Sequence, residues 1–229
     1  MIVSTVATWV GLEKPLKRKM TMRRLFYLTI GLLAACQTTT EQPVFDTNET
    51  AARIIQQRRE KDGTFKNGQD SPIRAEDKAA FESLDYFPID LQYRFRVPLQ
   101  KYDKTETFKI ITSSGKQRDT EKYGYFEFVL DGTKQRLQVY KILDIQSRYP
   151  GYLFVPFTDG TTHHESYSGG RYLEFHENDT GLYDLDFNFA YNPSCAYGKE
   201  GYNCPIPPAE NKLDVAIRAG EKKYVLATH

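Results

Sequence analysis

The side chains best suited to chemistry gather between residues 154 and 211. Asp159, Glu165, Arg171, Asp184 and Asp186 place four carboxylates and one guanidinium in a short stretch. A carboxylate pair can serve as general acid and base, and an arginine can hold an anionic group through two parallel hydrogen bonds. Glu165, Arg171 and Asp186 are therefore the catalytic candidates. The same residues also have a structural reading, in which Arg171 pairs with Asp186 or Glu165 and ties adjacent strands. His163 and His164, near Asp159, Glu165 and His176, raise the question of a metal. Neighbouring residues on a strand point to opposite faces, so both histidines could reach one ion only from a loop. Solvated loop histidines are the better account, and neither a metal nor another cofactor is expected.

A second group is polar and uncharged at its centre. Asp186 and Asn188 alternate with Phe187 and Phe189, which on a strand puts the polar pair on one face. With Asp159, Tyr167, Tyr191, Asn192 and Asn211 they form the ligand-binding candidates, suited to hydrogen-bonding a polyol or sugar. They could equally satisfy the main chain of the adjacent proline-rich loop, since buried backbone must be paired. No Walker loop, Rossmann glycine pattern, HExxH or Gly-x-Ser-x-Gly is present, which removes the common nucleotide, zinc-protease and α/β-hydrolase readings.

The N-terminus points to export. Arg23 and Arg24 precede an apolar run from Leu25 to Leu33, followed by Ala34, Ala35 and Cys36. A basic start, a short apolar core and small residues make a secretory signal, and the run is too short to span about 30 Å of hydrocarbon. The Leu33-Ala34-Ala35-Cys36 ending resembles a lipobox, in which Cys36 is the lipidated residue. Residues 1–35 are read as a lipoprotein signal peptide with an over-long start, 36–47 as a polar tether, and 48–229 as one globular β-rich domain. Gln37 after the cysteine favours, by analogy with enteric sorting, the outer membrane, facing the periplasm or the cell surface. Cleavage removes six basic residues and one acidic residue, changing the net charge from +1 to −4. A mildly acidic domain has no electrostatic footprint for nucleic acid. The expected partners are the membrane, through the lipid, and a small polar ligand or envelope component. In an exported chain, Cys195 and Cys204 favour a disulfide over a metal site or a reactive thiol, because their spacing lacks the tight CxxC form.

The elements that must position these residues can be read from periodicity. Asn48 caps a helix from Glu49 to about Lys61, with Ala51, Ile54 and Ile55 on its apolar face and Gly63 ending it. Ser71-Pro72 opens a second helix running from Arg74 to about Leu84. Beyond Asp85 the period becomes two. Strands are expected at 93–99, 106–112, 122–130, 135–143, 152–157, 171–176, 182–191 and 213–218, with Asp131-Gly132 turning a hairpin. The fold class is mainly β, an antiparallel sandwich or barrel with one or two N-terminal helices. The many Tyr and Phe residues fill a β core, or some of them offer a platform for a sugar.

Several phrases together carry a family resemblance. These are Lys61-Asp62-Gly63-Thr64-Phe65, Leu153-Phe154-Val155-Pro156-Phe157, Gly170-Arg171-Tyr172-Leu173, and the run from Asp186 to Tyr197. Cys204-Pro205-Ile206-Pro207-Pro208-Ala209-Glu210-Asn211 and Ala219-Gly220-Glu221-Lys222 complete the set. Over roughly residues 50–224 the chain resembles the domain-of-unknown-function family number 1684. The resemblance implies no activity. That family usually has Gly at the position of His163, which counts against a shared catalytic role for this histidine. Three functions stay open on these grounds: a lipid-anchored binding domain, an envelope hydrolase using Glu165 or Asp186 with Arg171, and a purely structural lipoprotein.

Overall fold

The computed structural model describes residues 47–225. The expected signal peptide, Cys36 and almost all of the expected tether lie outside the described residues. The first helix, α1 (Thr47–Asn67), carries Glu49 in its first turn and Lys66 in its last, the charge order that suits the helix dipole. It runs through Gly63 rather than ending there. Phe65, just beyond, packs edge-on against Tyr197 with ring centroids 4.8 Å apart, and this contact carries the helix past the glycine. Of the expected apolar face only Ile54 is buried, while Ile55 stays exposed. No helix among the described residues is long and apolar enough to cross a membrane.

The second expected helix does not form. Residues 75–80 make turns, and the chain then extends. Arg74 clasps the buried Asp77 carboxylate at 2.5 Å, and the Leu84 amide donates to the Asp62 carboxylate at 3.0 Å. Phe81 and Leu84 are nevertheless both buried, so their inward placement holds without a helix to deliver it.

Seven strands follow among the described residues: β1 (Arg94–Pro98), β2 (Gln100–Ile111), β3 (Gln117–Leu130), β4 (Thr133–Ile142), β5 (Tyr152–Phe157), β6 (Arg171–His176) and β7 (Leu182–Asp186). All pairings between them are antiparallel. β2-β3-β4-β5-β6 form one sheet in that order, and β1 pairs with β7 in a second, two-stranded sheet. The fold is sandwich-like, not a closed barrel. The β3–β4 hairpin turns at Asp131 (φ 50°) and Gly132 (φ 74°), both left-handed as that turn requires.

Strand alternation sorts the two faces of the large sheet. Phe126 and Phe128 of β3, Leu137 and Val139 of β4, and Leu153, Val155 and Phe157 of β5 enter the main core with Leu185 and Phe187. The opposite face carries a smaller cluster of Ile110, Ile142, Phe154 and Tyr172.

The eighth expected strand, 213–218, does not form. Leu213 and Ile217 are buried as its pattern implies, but the segment pairs only briefly with residues 158–160. Side chains meet further polar groups there: the Ile217 amide donates to Asp159 at 2.7 Å, and the Ile217 carbonyl accepts from Arg171 at 2.8 Å. β7 also stops earlier than expected. Asp186 ends it by accepting the Asn188 amide at 2.9 Å, and residues 187–189 make one tight turn.

Candidate functional site

Arg171 opens β6, where the alternation that buries Leu173 points it into the core. Its side chain is fully buried and its role is internal. It donates to the carbonyls of Ala219 (2.5 Å), Ile217 (2.8 Å) and Glu221 (3.2 Å), and to the Asp159 carboxylate at 3.2 Å. Burial lowers the guanidinium pKa, and the Asp159 carboxylate opposes that shift. Asp159 also accepts from Thr161 at 2.8 Å. The partner of Arg171 is thus neither Asp186 nor Glu165, as the strand-tying reading expects, but Asp159. The three-carbonyl grip holds the returning segment 217–221 against the sheet. Gly220, at φ 78°, lets that segment turn where an added Cβ would fall 2.4 Å from the Ala190 oxygen.

Other candidates are satisfied separately. Glu165 forms an exposed ion pair with Arg218 at 2.9 Å. Asp186 lies 3.7 Å from Arg94, which binds Asp184 more closely at 2.7 Å. Burial raises the Asp186 carboxyl pKa, while hydrogen bonds from Asn188 oppose the rise. The cavity bearing Asp186 is lined by neither Glu165 nor Arg171, so the three catalytic candidates are not brought together. Asn188, Asn192 and Asn211 hold main chain. Asn188 exchanges hydrogen bonds with the Asp90 backbone at 3.0 and 2.9 Å. Asn192 donates to the Lys222 carbonyl at 2.7 Å. Asn211 is fully buried and binds the backbone of Gln138 and Pro156. Tyr167 packs against the cluster of Ile73, Phe81 and Tyr197. Burial raises its hydroxyl pKa.

The histidines do not converge. His163 and His164 lie in the Asp159–Ser166 loop, with His163 exposed, and His176 lies edge-on to Tyr152 at the far end of β6. Among the described residues no group of three or more metal-ligating side chains assembles. His163 has φ 72°, a left-handed conformation in which glycine is favoured.

Cys195 and Cys204 lie at disulfide distance, with sulfurs 2.23 Å apart. Their loop docks on the β2–β3 turn. The Ser113 amide donates to the Cys204 carbonyl at 2.8 Å, and the Ser113 hydroxyl accepts the Cys204 amide at 3.1 Å. The Tyr172 hydroxyl adds a hydrogen bond to the Pro205 carbonyl.

This docked loop closes one wall of the cleft that stands out as a site. The cleft, about 220 Å³, lies on the outer face of the large sheet opposite the main core. β5 supplies Tyr152 and Phe154, and β6 supplies Tyr172 and Glu174, with Phe154 paired directly across from Glu174. Tyr191 and Tyr202 come from the segment leading into and through the loop. One Glu174 carboxylate oxygen accepts the Tyr152 hydroxyl at 2.5 Å and the Tyr191 hydroxyl as well. Burial pushes the pKa of Tyr152, Tyr172 and Tyr191 well above 10.0, and nearby Glu174 adds to the shift in all three. The phenols therefore stay protonated and donate. Tyr191 also borders two neighbouring hollows. One is a notch under α1 lined by Arg58, Lys61 and Glu221, and the other is the hollow bearing Arg53, Asp184 and Asp186.

Among the ligand candidates read from the sequence, only Tyr191 lines this cleft. Residue type and spacing do not single out Glu174, Tyr152 or Tyr202. A signal exists for Glu174, because its place between Leu173 and Phe175 puts it on the face of β6 away from the core. Glu221 is a further polar residue that spacing does not reveal. It is buried, holds Lys61 in an ion pair, and accepts the Asn192 amide at 2.9 Å and the Tyr197 hydroxyl at 2.5 Å.

Comparison with known proteins agrees on family. Residues 79–222 match the family described as Protein of unknown function (DUF1684). The chain belongs to this family. The solution NMR structure of an uncharacterized protein from Haloarcula marismortui is similar at 34% identity and a TM-score of 0.59, over 77% of this chain and 96% of that one. Among curated proteins no match was found.

Proposed function

We propose that this chain is a lipid-anchored protein of the bacterial cell envelope that binds a small polar ligand in the cleft between Glu174 and Tyr191. The observation that carries the binding role is the cleft itself: aromatic walls and a hydrogen-bonded carboxylate placed on the sheet face that the main core does not use. Concave sites with mostly apolar walls and a few convergent polar groups are where ligands bind. The disulfide-anchored loop supplies a rigid wall, and rigid support lowers the entropic cost of binding. Export and anchoring are supported by the ordered signal, Arg23-Arg24, the apolar run and Cys36. The −4 net charge after cleavage argues against nucleic acid as the partner.

Two measurements test this reading. Mass spectrometry of the membrane-extracted protein is expected to show an acylated N-terminal Cys36, and a chain beginning upstream of it removes the anchor. A small-molecule screen by NMR is expected to move amides of Tyr152, Glu174 and Tyr191. Shifts confined to the Arg58–Lys61 notch relocate the site and overturn the cleft.

A further inference from the structure

The lining of the cleft also says what charge its occupant carries, given that the cleft is the binding site proposed above. Carboxylates elsewhere in this domain commonly have a cation of their own. Asp159 has Arg171, Asp184 has Arg94, Glu177 has Lys141, Glu210 has Lys122, and Glu221 has Lys61. Glu174 is different. Among the described residues its hydrogen-bond partners are the two phenols, and both use the same oxygen, Oε1. The other oxygen, Oε2, accepts neither phenol, and Glu174 lines both this cleft and the neighbouring hollow bearing Arg53, whose guanidinium pairs with Asp184. The phenols are pinned as protonated donors by burial, so they orient the carboxylate without cancelling its charge.

Among the described residues Arg118 is the one cationic side chain lining the cleft, and it is already engaged. It binds Asp144 through two hydrogen bonds of 3.1 and 2.8 Å. Its charge is met at the rim. The Lys61 ammonium also lies 4.7 Å from the Tyr191 ring centroid, but it belongs to the neighbouring notch and is paired with Glu221. The carboxylate left without a cation at the cleft is Glu174, which favours a positive group.

Ring geometry narrows that group further. Phe154 and Tyr172 meet at 77° with centroids 4.7 Å apart, and Tyr172 meets Tyr191 at 86° and 5.8 Å. A sugar stacks on one broad, open ring face; Tyr152 and Phe154 lie nearly parallel, at 19° and 6.4 Å, but Tyr172, steeply inclined to both Phe154 and Tyr191, turns the lining into a corner. Ring faces carry negative potential, and an aromatic corner beside a carboxylate suits a cation that is weakly hydrated. An ammonium with methyl groups meets this description better than a bare lysine-like amine, whose three N–H donors need acceptors that the rings do not supply. The cleft is also smaller than the roughly 300–1,000 Å³ of drug-sized sites, which fits one small headgroup.

We infer that the cleft binds a methylated ammonium group, with Glu174 as counter-ion and Phe154, Tyr172 and Tyr191 as its aromatic walls. The group is either a free solute or the headgroup of a choline lipid, and both share this chemistry.

The test uses the full-length protein in a non-ionic detergent, titrated with choline and, separately, with glucose as a neutral polyol. Choline is expected to shift the amides of Glu174 and Tyr191 saturably, with glucose silent. Glu174→Gln keeps the side-chain shape and an acceptor for both phenols, and is expected to weaken choline binding at least tenfold with an otherwise unchanged spectrum. Tyr191→Phe keeps the ring and is expected to cost less than that. In the same detergent, tighter binding of a short-chain phosphatidylcholine than of choline, with the matching phosphatidylglycerol silent, assigns a lipid source, and equal or weaker binding than choline assigns a free solute. Choline binding that Glu174→Gln leaves intact overturns the inference. Glucose shifting the cleft while choline is silent also overturns it, but leaves the binding cleft standing. Silence of both removes the cleft as a site for either class.

Discussion

Two regions of this molecule contain charged groups on β6, and they could hardly be used more differently. Around Arg171 a guanidinium, the Asp159 carboxylate and three carbonyls lock together in the interior. Three residues along the same strand, Glu174 sits on the outer face and is held by two phenols. Both residues are polar and both lie in the motif-rich stretch. Arg171 commits its charge to the fold, while Glu174 retains its own. In a β domain the informative question about a charged residue is therefore how completely its own neighbours satisfy it.

The comparison breaks most directly at Arg171. Arg171→Ala leaves the Asp159 carboxylate buried without its ion-pair partner, and such a change costs about 3–5 kcal/mol. Glu174→Gln, at an exposed position, is expected to cost less than about 1 kcal/mol. Urea unfolding of the two variants checks this, and similar losses for both erase the distinction between the regions. The Arg171 loss is a large share of the roughly 5–15 kcal/mol that holds a typical domain together.

The cleft wall gives the next largest effect. Cys195→Ser opens a short covalent loop and is expected to remove about 2–3 kcal/mol. If the cross-link holds the wall rigid, rather than its Ser113 anchors alone, the variant should also lose ordered amide signals in residues 195–205. A reducing agent that leaves wild-type stability unchanged excludes the cross-link.

Alkaline titration separates the regions by a third route. Tyr152, Tyr172 and Tyr191 have folded pKa values above the unfolded value of 10.0, chiefly through burial. The folded state then binds more protons than the unfolded state above that pH. The stability these phenols contribute is present below pH 10 and is lost as pH rises, by up to about 1.4 kcal/mol per pH unit for each phenol. Tyrosinate absorbance should rise in two steps, an early one from exposed residues and a late one that coincides with unfolding. A single step near pH 10 in a folded protein contradicts the buried hydroxyls.

The smallest effect has the opposite sign. His163 occupies a left-handed backbone position on the exposed part of the Asp159–Ser166 loop. His163→Gly relieves that strain against the greater chain entropy of glycine, and a net gain of about 0.5–1 kcal/mol is expected. A loss in thermal unfolding would assign the imidazole a contact that the loop does not show.

Much of this architecture is legible from residue pattern. The seven strands among the described residues overlap segments with period-two alternation or apolar runs, although β2 begins at Gln100 and β3 at Gln117, ahead of the expected 106 and 122, and the Asp131-Gly132 turn sits where its residue types require. Leu213 and Ile217 point inward as alternation implies, even though their strand does not form. The differences share a cause. Local pattern predicts the 74–84 helix and the 213–218 strand, but the backbone there is met by Asp62, Asp159 and Arg171 from distant parts of the chain. For the site, type and spacing draw attention to Glu165, Arg171 and Asp186, which different partners then divide among themselves.

The sequence by itself determined the family, the mainly β class and the strand faces, because these depend on local order and alternation. It is also the whole ground for the proposed export signal at Cys36, and it brings Cys195 and Cys204 close enough along the chain to pair. Only the tertiary structure decided which polar groups are committed to the fold. Whether a carboxylate meets an arginine or two phenols depends on which strand lies beside it and which loop folds over it. Those neighbours lie 12, 17 and 22 residues away along the chain, and no spacing along it encodes their distance in space.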